Sequence, residues 1–230
     1  MKFLKTSALL CCVGFSGELL AERELPNFEI GLGGGKGIDV ELFNLDFTVN
    51  IPMTSFLSSQ INLDSNYVFG DPDLGDFAVS EFNGMGFIRV KEGRIGAGLG
   101  TLQLKSKSGA YETEQVQVVR GTAALYVKDV TFSWDYAKFD DDFRATTSLR
   151  AGLIWYPSEG QKLALFRERY DSTEGWRLES FVQPQKYRQH LALGVVLRGG
   201  NADIFPYMGL ALRYYFDRGM SFKQRERSYH

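Results

Sequence analysis

Proton-transfer chemistry near neutral pH would depend on histidine, and the sequence contains only two. His230 is the last residue of the sequence, which is a poor position for a reactive site. His190 falls in an alternating segment, and we place it in the middle of a strand with Arg188 and Ala192 on the same face. A hydrolytic site needs a nucleophile or a carboxylate beside the histidine, and Ala192 provides neither. We therefore predict that the protein is not an enzyme and that His190 belongs to an internal polar network.

Charged residues at alternate positions form the more informative set. Apolar residues fill the positions between them, and the acids come mostly early in the chain while the bases come late. The members are Asp46, Asp64, Asp135, Arg150, Arg177, Glu179, Arg188, His190, Arg198 and Arg213. Charges removed from bulk water must be paired or hydrated. The set therefore predicts an interior that is either closed by ion pairs or forms a wet passage with acidic and basic walls.

The elements that carry these residues are predicted to be β-strands. Residues 43–51 alternate most clearly, with large apolar side chains on one face and Asn44, Asp46 and Thr48 on the other. About twelve such segments fill residues 22–216, and ten residues are enough for a tilted strand to cross a bilayer. In the fifth segment Leu102 and Leu104 fall on the glycine face, so we expect a shift of phase and allow for a bulge there.

The polar faces and the connections both favour a membrane barrel over a water-soluble sandwich. A soluble sandwich would rarely bury asparagine and aspartate beneath a continuous aliphatic exterior, whereas a barrel in lipid does so by construction. Predicted connections alternate between brief ones, such as residues 52–56, and longer polar ones, such as 105–113. An even strand number with both termini on one side predicts this alternation.

The N-terminus is predicted to be a signal peptide over residues 1–21. Lys2 and Lys5 precede a short apolar run, and cleavage is expected after Ala21 or Ser16. A lipoprotein anchor is the alternative, but it fits poorly because a small residue is missing before the cysteines at 11 and 12. The exported chain would carry no cysteine, so a disulfide scaffold is not expected.

Composition excludes several other classes of function. A net charge of −2 argues against a nucleic-acid partner. No group of residues has the spacing of a metal or cofactor site, so we predict neither. Aspartates at positions 71, 73 and 76 and at positions 140–142 offer carboxylates to divalent cations that bridge lipopolysaccharide phosphates, but solvated turns explain them better.

With these features, the chain resembles the outer-membrane β-barrel proteins of Gram-negative bacteria, of the porin-like channel type. The resemblance covers residues 22–216 and includes a last strand, YMGLALRYYF, in which Tyr214 and Phe216 match the aromatic signal for the barrel-assembly machinery. It implies an all-β, antiparallel up-and-down transmembrane barrel of about twelve strands that contacts outer-membrane lipid and lipopolysaccharide. One departure is that residues 217–230 follow the terminal aromatic; we expect a disordered, polar periplasmic tail there.

Three functions remain open at this stage. We expect a narrow passive channel for small polar or anionic solutes, with Arg150, Arg177, Arg188, Arg198 and Arg213 setting its selectivity. The main alternative is a closed-lumen barrel with a structural or interaction role. The least favoured is a lipid-modifying barrel enzyme, because such enzymes resemble this chain in having a strand histidine but place a serine where Ala192 stands.

Overall fold

The computed structural model describes residues 26–71, 75–107, 113–140, 147–187, 190–200, 206–216 and 220–229. The predicted signal peptide lies outside these residues. Among those described, no helix is long and apolar enough to span a membrane. The elements are β1 (Asn27–Gly37), β2 (Glu41–Pro52), β3 (Leu57–Asp71), β4 (Gly75–Val90), β5 (Gly93–Ser106), β6 (Glu114–Val127), β7 (Val130–Phe139), β8 (Thr147–Ser158), β9 (Gln161–Tyr170), β10 (Thr173–Val182), β11 (Leu191–Gly200), β12 (Tyr207–Tyr215) and helix α1 (Phe222–Ser228).

The twelve strands form one closed antiparallel barrel, which confirms the predicted fold class and strand number. Each strand pairs with its neighbours in sequence, and β1 pairs with β12 to close the ring. Phe216 continues the seam, since its backbone N–H donates to the carbonyl of Phe28 at 3.0 Å. Closure leaves no unpaired strand edge, as a sheet surrounded by lipid requires.

Strand register is continuous where the sequence suggested a bulge. The β4–β5 ladder runs without interruption from Val90↔Gly93 to Phe77↔Ser106. Leu102 and Leu104 therefore keep the phase of their strand and face the interior, and the expectation of a bulge in the fifth segment was wrong. Irregularities occur instead at residues 68–71 and 155–158, where two ladders end.

We name the two ends of the barrel by the strand termini that they contain. The near end holds the start of β1 and the end of β12, and the far end is the opposite one. The predicted contrast in connection length is only partial. The near-end connection at residues 183–190 is long, and the far-end connections at residues 38–40 and 171–172 are brief. Strands that extend past the apolar band replace the longer loops predicted there.

The exterior of the barrel is apolar and the interior is polar. Leu99 and Leu210 each expose 70% of their surface, whereas Asn50 and Glu29, which face inward, expose 1% and 3%. The exposed band includes Phe28, Leu45, Leu63, Phe82, Ile95, Leu125, Trp134, Leu165, Leu178, Val195, Met208 and Tyr214. This inversion of the usual hydrophobic pattern is that of a barrel embedded in a membrane.

Substitution of arginine into this apolar band tests whether the band lies in the hydrocarbon of the membrane. Leu99→Arg, near the middle of β5, is expected to lower the free energy of unfolding from bilayers by about 2–4 kcal/mol, because the charge would lie in hydrocarbon. Gln103→Arg, on the same face nearer the far end, should cost only about 0–1 kcal/mol. Urea titration of barrels folded into liposomes measures both, and equal costs would contradict the assignment of the apolar band.

Two apolar clusters lie inside the barrel, one towards each end. The far-end cluster contains Leu102, Val116, Val118, Ala137 and Phe139. The near-end cluster contains Ile154, Tyr156, Ala164, Phe166, Phe181, Ala192, Tyr215 and Phe222. Phe222 belongs to α1, so a segment that follows the last strand contributes to the packed interior.

Candidate functional site

One wall of the lumen is acidic. Asp46, Asp64 and Glu81 are register partners on the adjacent strands β2, β3 and β4, so three carboxylates stand side by side. Amide side chains bridge the row: Asn44 donates to Asp64 at 3.2 Å, and Asn83 donates to Glu81 at 2.9 Å. These amides hold the carboxylates in place and supply the hydrogen bonds that ions taken out of bulk water require.

The opposite wall carries arginine–carboxylate pairs. Arg177 donates to Glu179 at 2.6 Å on the same strand. Arg198 of β11 reaches across β10 to Glu168 of β9 at 2.7 Å. Arg150 contacts its register partner Asp135 at 3.3 Å, which places this pair between β7 and β8.

A fourth pair joins the two walls. Arg120 of β6 binds Glu81 of β4 through two nitrogens, across the intervening strand β5. Gly98 is the register partner of Arg120. The space above Gly98 is filled by the side chain of Met85, the register partner of Gly98 on β4.

In every pair the arginine is more exposed than its acid. The exposed fractions of the side chains are 29% and 10% for Arg120 and Glu81, 39% and 31% for Arg150 and Asp135, 25% and 7% for Arg177 and Glu179, and 22% and 3% for Arg198 and Glu168. The guanidinium groups therefore line the accessible space, and the carboxylates lie behind them. At these four pairs a solute would meet N–H donors and positive charge first, whereas the acidic wall presents Asp46 and Asp64 to the lumen.

Arg213 lies where the two walls meet at the strand seam. Its register partner on β1 is Gly31, whose other partner is Asp46 on β2. A side chain at Gly31 would collide with the Asp46 carboxylate, so this carboxylate lies over the glycine. The Arg213 guanidinium sits 5.3 Å from the centre of the Phe181 ring, on top of the near-end cluster.

Helix α1 lies in the near end of this lumen. It begins with a capping box, in which the Ser221 hydroxyl accepts from the backbone of Gln224 and the Gln224 side chain accepts from the backbone of Ser221. Seven residues are too few for a helix to be stable alone, so contacts with the barrel must hold it.

One face of α1 is buried against inward-facing strand residues. Phe222 packs edge-on against Phe181 and Tyr215, with ring centres 6.4 and 6.5 Å away. Arg225, one turn later, is 2% exposed and stacks 3.7 Å from the centre of the Tyr215 ring. The spacing of these residues puts both on the same side of the helix.

Polar contacts fix the other parts of the helix. Lys162 of β9 lies 3.7 Å from Glu226 and 3.8 Å from Glu179, so it links α1 to the charged wall. Lys223 binds Asp129, in the β6–β7 turn, at 2.6 Å. The pKa of Asp129 is held below its usual range because the Lys223 ammonium donates to its carboxylate.

Helix α1 contacts strands on opposite sides of the barrel mouth. Its first turn contacts Tyr215 of β12, and its last turn reaches β6, where the Arg227 guanidinium lies 5.0 Å from the centre of the Tyr126 ring. Arg227 also donates to the carbonyl of Lys128 at 2.6 Å. Strands β12 and β6 are six positions apart in a ring of twelve, and therefore face each other. The expectation of a disordered tail was wrong for residues 222–228.

Most of the predicted interior residues do line the lumen. Asp46, Asp64, Asp135, Arg150, Arg177, Glu179, Arg198 and Arg213 all face inward. Arg188 lies outside the described residues. A role of the inward set in selectivity stays a prediction. Tyr214 and Phe216 lie on the exterior with ring centres 5.0 Å apart, and their part in assembly also stays a prediction.

His190 is not where the sequence placed it. It precedes β11 instead of lying within a strand, because the chain makes a 3₁₀ turn at Gln185–Tyr187 before the strand begins. Its Nδ1 lies 3.1 Å from the carbonyl oxygen of Tyr215, and its ring stacks on the outward-facing Tyr214 at 6.0 Å. Among the described residues, it contacts neither a nucleophile nor a carboxylate.

Several interior charges were missed in the sequence. Glu81 and Arg120 lie in β4 and β6, whose lipid faces carry glycine and other small residues, and Lys162 and Glu168 lie at alternate positions of β9. Lys162 and Glu168 share the alternation of Ala164, which faces the interior. Counting every second residue from Ala164 in both directions would have identified them. In the described parts of the chain, no cluster of three or more histidine, cysteine or acidic side chains is suited to a metal ion.

Comparison with known proteins identifies the fold alone. No protein-family model matches the chain, and no curated protein matches its sequence. The KdgM porin is 10% identical and superimposes with a TM-score of 0.55, covering 83% of this chain and 99% of the porin. Outer membrane phospholipase A from Escherichia coli is 8% identical, with a TM-score of 0.54, and the match covers 84% of this chain and 93% of that one. The chain thus has the fold of the outer-membrane β-barrel proteins.

Proposed function

We propose that this protein is a narrow outer-membrane channel for small polar or anionic solutes, closed at its near end by α1 in the conformation described. The observation that carries the proposal is the orientation of the four interior arginine–carboxylate pairs. Each pair turns its guanidinium towards the accessible lumen and its carboxylate towards the wall. This common orientation puts N–H donors and positive charge where an anion would pass.

The resemblance to a porin supports the same proposal without carrying it. The KdgM porin shares the barrel architecture, and its name gives that neighbour a channel function. An outer-membrane location fits the apolar exterior and the predicted signal peptide over residues 1–21. We further propose that Tyr214 and Phe216 present the last strand to the barrel-assembly machinery. We assign no catalytic role to His190, because its described partners are a carbonyl and an aromatic ring.

The near-end helix makes the channel a gated one. Its contacts with Lys162 and Tyr215 are interior, and its contacts with Asp129 and Lys128 lie on a turn at the rim. Release of α1 would leave the near-end cluster without Phe222 and would expose the charged walls along the full length of the lumen. The channel would then conduct only while the helix is displaced.

Recording from purified protein in planar bilayers under a salt gradient tests the proposal. We expect small, intermittent conductance steps with a reversal potential on the anion side. Arg177→Ala should lower the anion preference, because it removes a water-facing guanidinium. The proposal fails if neither the intact chain nor a variant with a destabilised α1 conducts, or if Arg177→Ala leaves the reversal potential unchanged.

A second candidate is a barrel with a permanently closed lumen and a structural or interaction role. The observation that favours it is that all four arginines have a carboxylate within ion-pair distance. Such a network of ion pairs would persist without α1. Absence of conductance after displacement of the helix, in a barrel shown to be folded, would favour this candidate over the channel.

A further inference from the structure

Three arginines gather around Tyr126 at the near end of the lumen, beside the last turn of α1. Arg89 and Arg94 are register partners on the adjacent strands β4 and β5. Arg227 of α1 holds its guanidinium 5.0 Å from the centre of the Tyr126 ring. All three arginines are close enough to act electrostatically on the Tyr126 hydroxyl. Like charges at directly opposite positions of a sheet repel each other, so this arrangement favours a negatively charged partner.

Two of these arginines carry N–H donors that have no partner among the residues that the structure describes. The donors are Nε and Nη1 of Arg94 and Nε of Arg227, and all three atoms are buried. Arg94 packs 5.4 Å from the centre of the Phe87 ring, and Arg227 donates through Nη2 to the carbonyl of Lys128 at 2.6 Å. Both side chains remain partly exposed, so a small ion can reach them from the mouth of the barrel.

The charge around the cluster stays positive when every neighbouring element of the described chain is included. On α1 and on the strand ends and turns around it, the cations are Arg89, Lys91, Arg94, Lys128, Lys162, Lys186, Lys223, Arg225 and Arg227, and the acids are Glu29, Glu92, Asp129, Glu159, Glu179 and Glu226. Asp129 accepts from Lys223 at 2.6 Å. Glu226 lies 3.7 Å from Lys162, on the opposite side of the mouth from β4 and β5. The acids therefore leave positive charge uncompensated at the arginine cluster.

A divalent oxyanion of the phosphate class matches both the charge and the donors of the cluster. A guanidinium binds phosphate through two parallel N–H donors, and the several oxygens of one phosphate can accept from Arg94 and Arg227 together. Arg227 has five N–H donors, so it can keep its bond to the Lys128 carbonyl and still donate to a ligand. A chloride ion carries a single charge and lacks the paired oxygens that the guanidinium geometry selects.

We propose that Arg89, Arg94 and Arg227 bind phosphate, either as the free ion or as the phosphoryl group of a solute, and that the bound anion ties α1 to the barrel. Arg227 belongs to the helix and the other two arginines belong to β4 and β5, so one ligand contacts all three only while α1 is in place. Binding therefore stabilises the closed conformation. The inference rests on the role proposed above for α1, but anion binding itself requires no conduction.

Isothermal titration calorimetry on the barrel in phosphatidylcholine nanodiscs tests the site. Inorganic phosphate, added at constant ionic strength, should bind to the intact protein. Arg94→Gln and Arg227→Gln should each weaken binding at least about tenfold, because each removes charged hydrogen bonds to the anion. Lys105→Gln removes an outward cation of β5 and should bind phosphate like the intact barrel. Binding of glucose 6-phosphate as well would identify a phosphoryl group as the ligand, and binding of inorganic phosphate alone would identify the free ion.

Cleavage by trypsin after Lys223 reports the release of α1 without any measurement of current. A protease needs an extended chain, so the cleavage rate follows the fraction of released helix. Phosphate at ten times its dissociation constant should lower this rate roughly tenfold.

Three outcomes would overturn the proposal: no binding of phosphate, equal binding by the intact barrel and both arginine variants, or equal protection of Lys223 by chloride at the same ionic strength. Equal protection by chloride would show that charge screening alone holds the helix. Protection by phosphate in a barrel that never conducts would support the anion site and reject the channel.

Discussion

Replacing Phe222 with alanine is expected to convert a channel that opens rarely into one that is open for much of the time. The Phe222 ring is buried among Phe181 and Tyr215 and is the main apolar contact between α1 and the barrel. Burial of a phenylalanine side chain contributes about 1.5–3 kcal/mol, and each 1.4 kcal/mol or so changes a population ratio about tenfold. The ratio of open to closed channel should therefore rise at least about tenfold.

Single-channel recording in planar bilayers measures this ratio directly. Gln224→Glu is the matched control, because it changes an exposed residue of the same helix while the capping box tolerates glutamate at that position. Its open probability should stay close to that of the intact protein. An unchanged open probability in Phe222→Ala, with the barrel still folded, would show that α1 does not close the lumen.

Removing one complete arginine–carboxylate pair is expected to reduce the anion preference without changing the formal charge of the lumen. Arg198 exposes 22% of its side chain and Glu168 only 3%, so a solute meets the cation and not the acid. Arg198→Gln combined with Glu168→Gln removes both. The double change also avoids a lone buried carboxylate, which would be strongly destabilising.

The permeability ratio from reversal potentials under a salt gradient is the measurement, made in the Phe222→Ala background so that openings are frequent. We expect a several-fold fall in the ratio of anion to cation permeability. Lys105→Gln, which removes a cation from the outer surface, should leave it unaltered. An identical permeability ratio in the double variant and its parent would show that the arginines do not set the selectivity.

The strand architecture was predictable because a membrane barrel makes each strand obey one simple rule. Residues on the lipid face must be apolar. In residues 43–51 and 207–216 the apolar side chains recur at every second position, which indicates which face of each strand contacts lipid. The inward set from Asp46 to Arg213 follows from the same alternation. Segments around Glu81 and Arg120 were harder because glycine and small residues on their lipid faces weaken the contrast.

The near-end helix was not predictable by the same logic. Apart from Phe222, residues 222–228 are polar or charged, and in a soluble protein such a segment would be left in solvent. In this barrel the interior is itself charged and aromatic, so Arg225 and Glu226 find partners inside it. Those partners come from β9 and β12 and meet only when the ring closes, which a local pattern cannot reveal.

The predicted position of His190 was wrong for a related reason. The alternating pattern continues through Arg188 and His190 into β11, but the chain turns at Gln185–Tyr187 and the ladder with β12 begins at Leu191. Periodicity gives the facing of residues within a strand and is weak evidence for where the strand begins.

The central claim, that α1 closes a water-filled path, is tested most directly by tethering the helix to the rim. Asp129→Cys and Lys223→Cys replace two side chains that lie 2.6 Å apart, and the only native cysteines are in the predicted signal peptide. In the Phe222→Ala background, a short reducible bifunctional thiol reagent should abolish the current through this pair, and a reductant should restore it. Currents that are the same with the tether intact and cleaved would contradict the account.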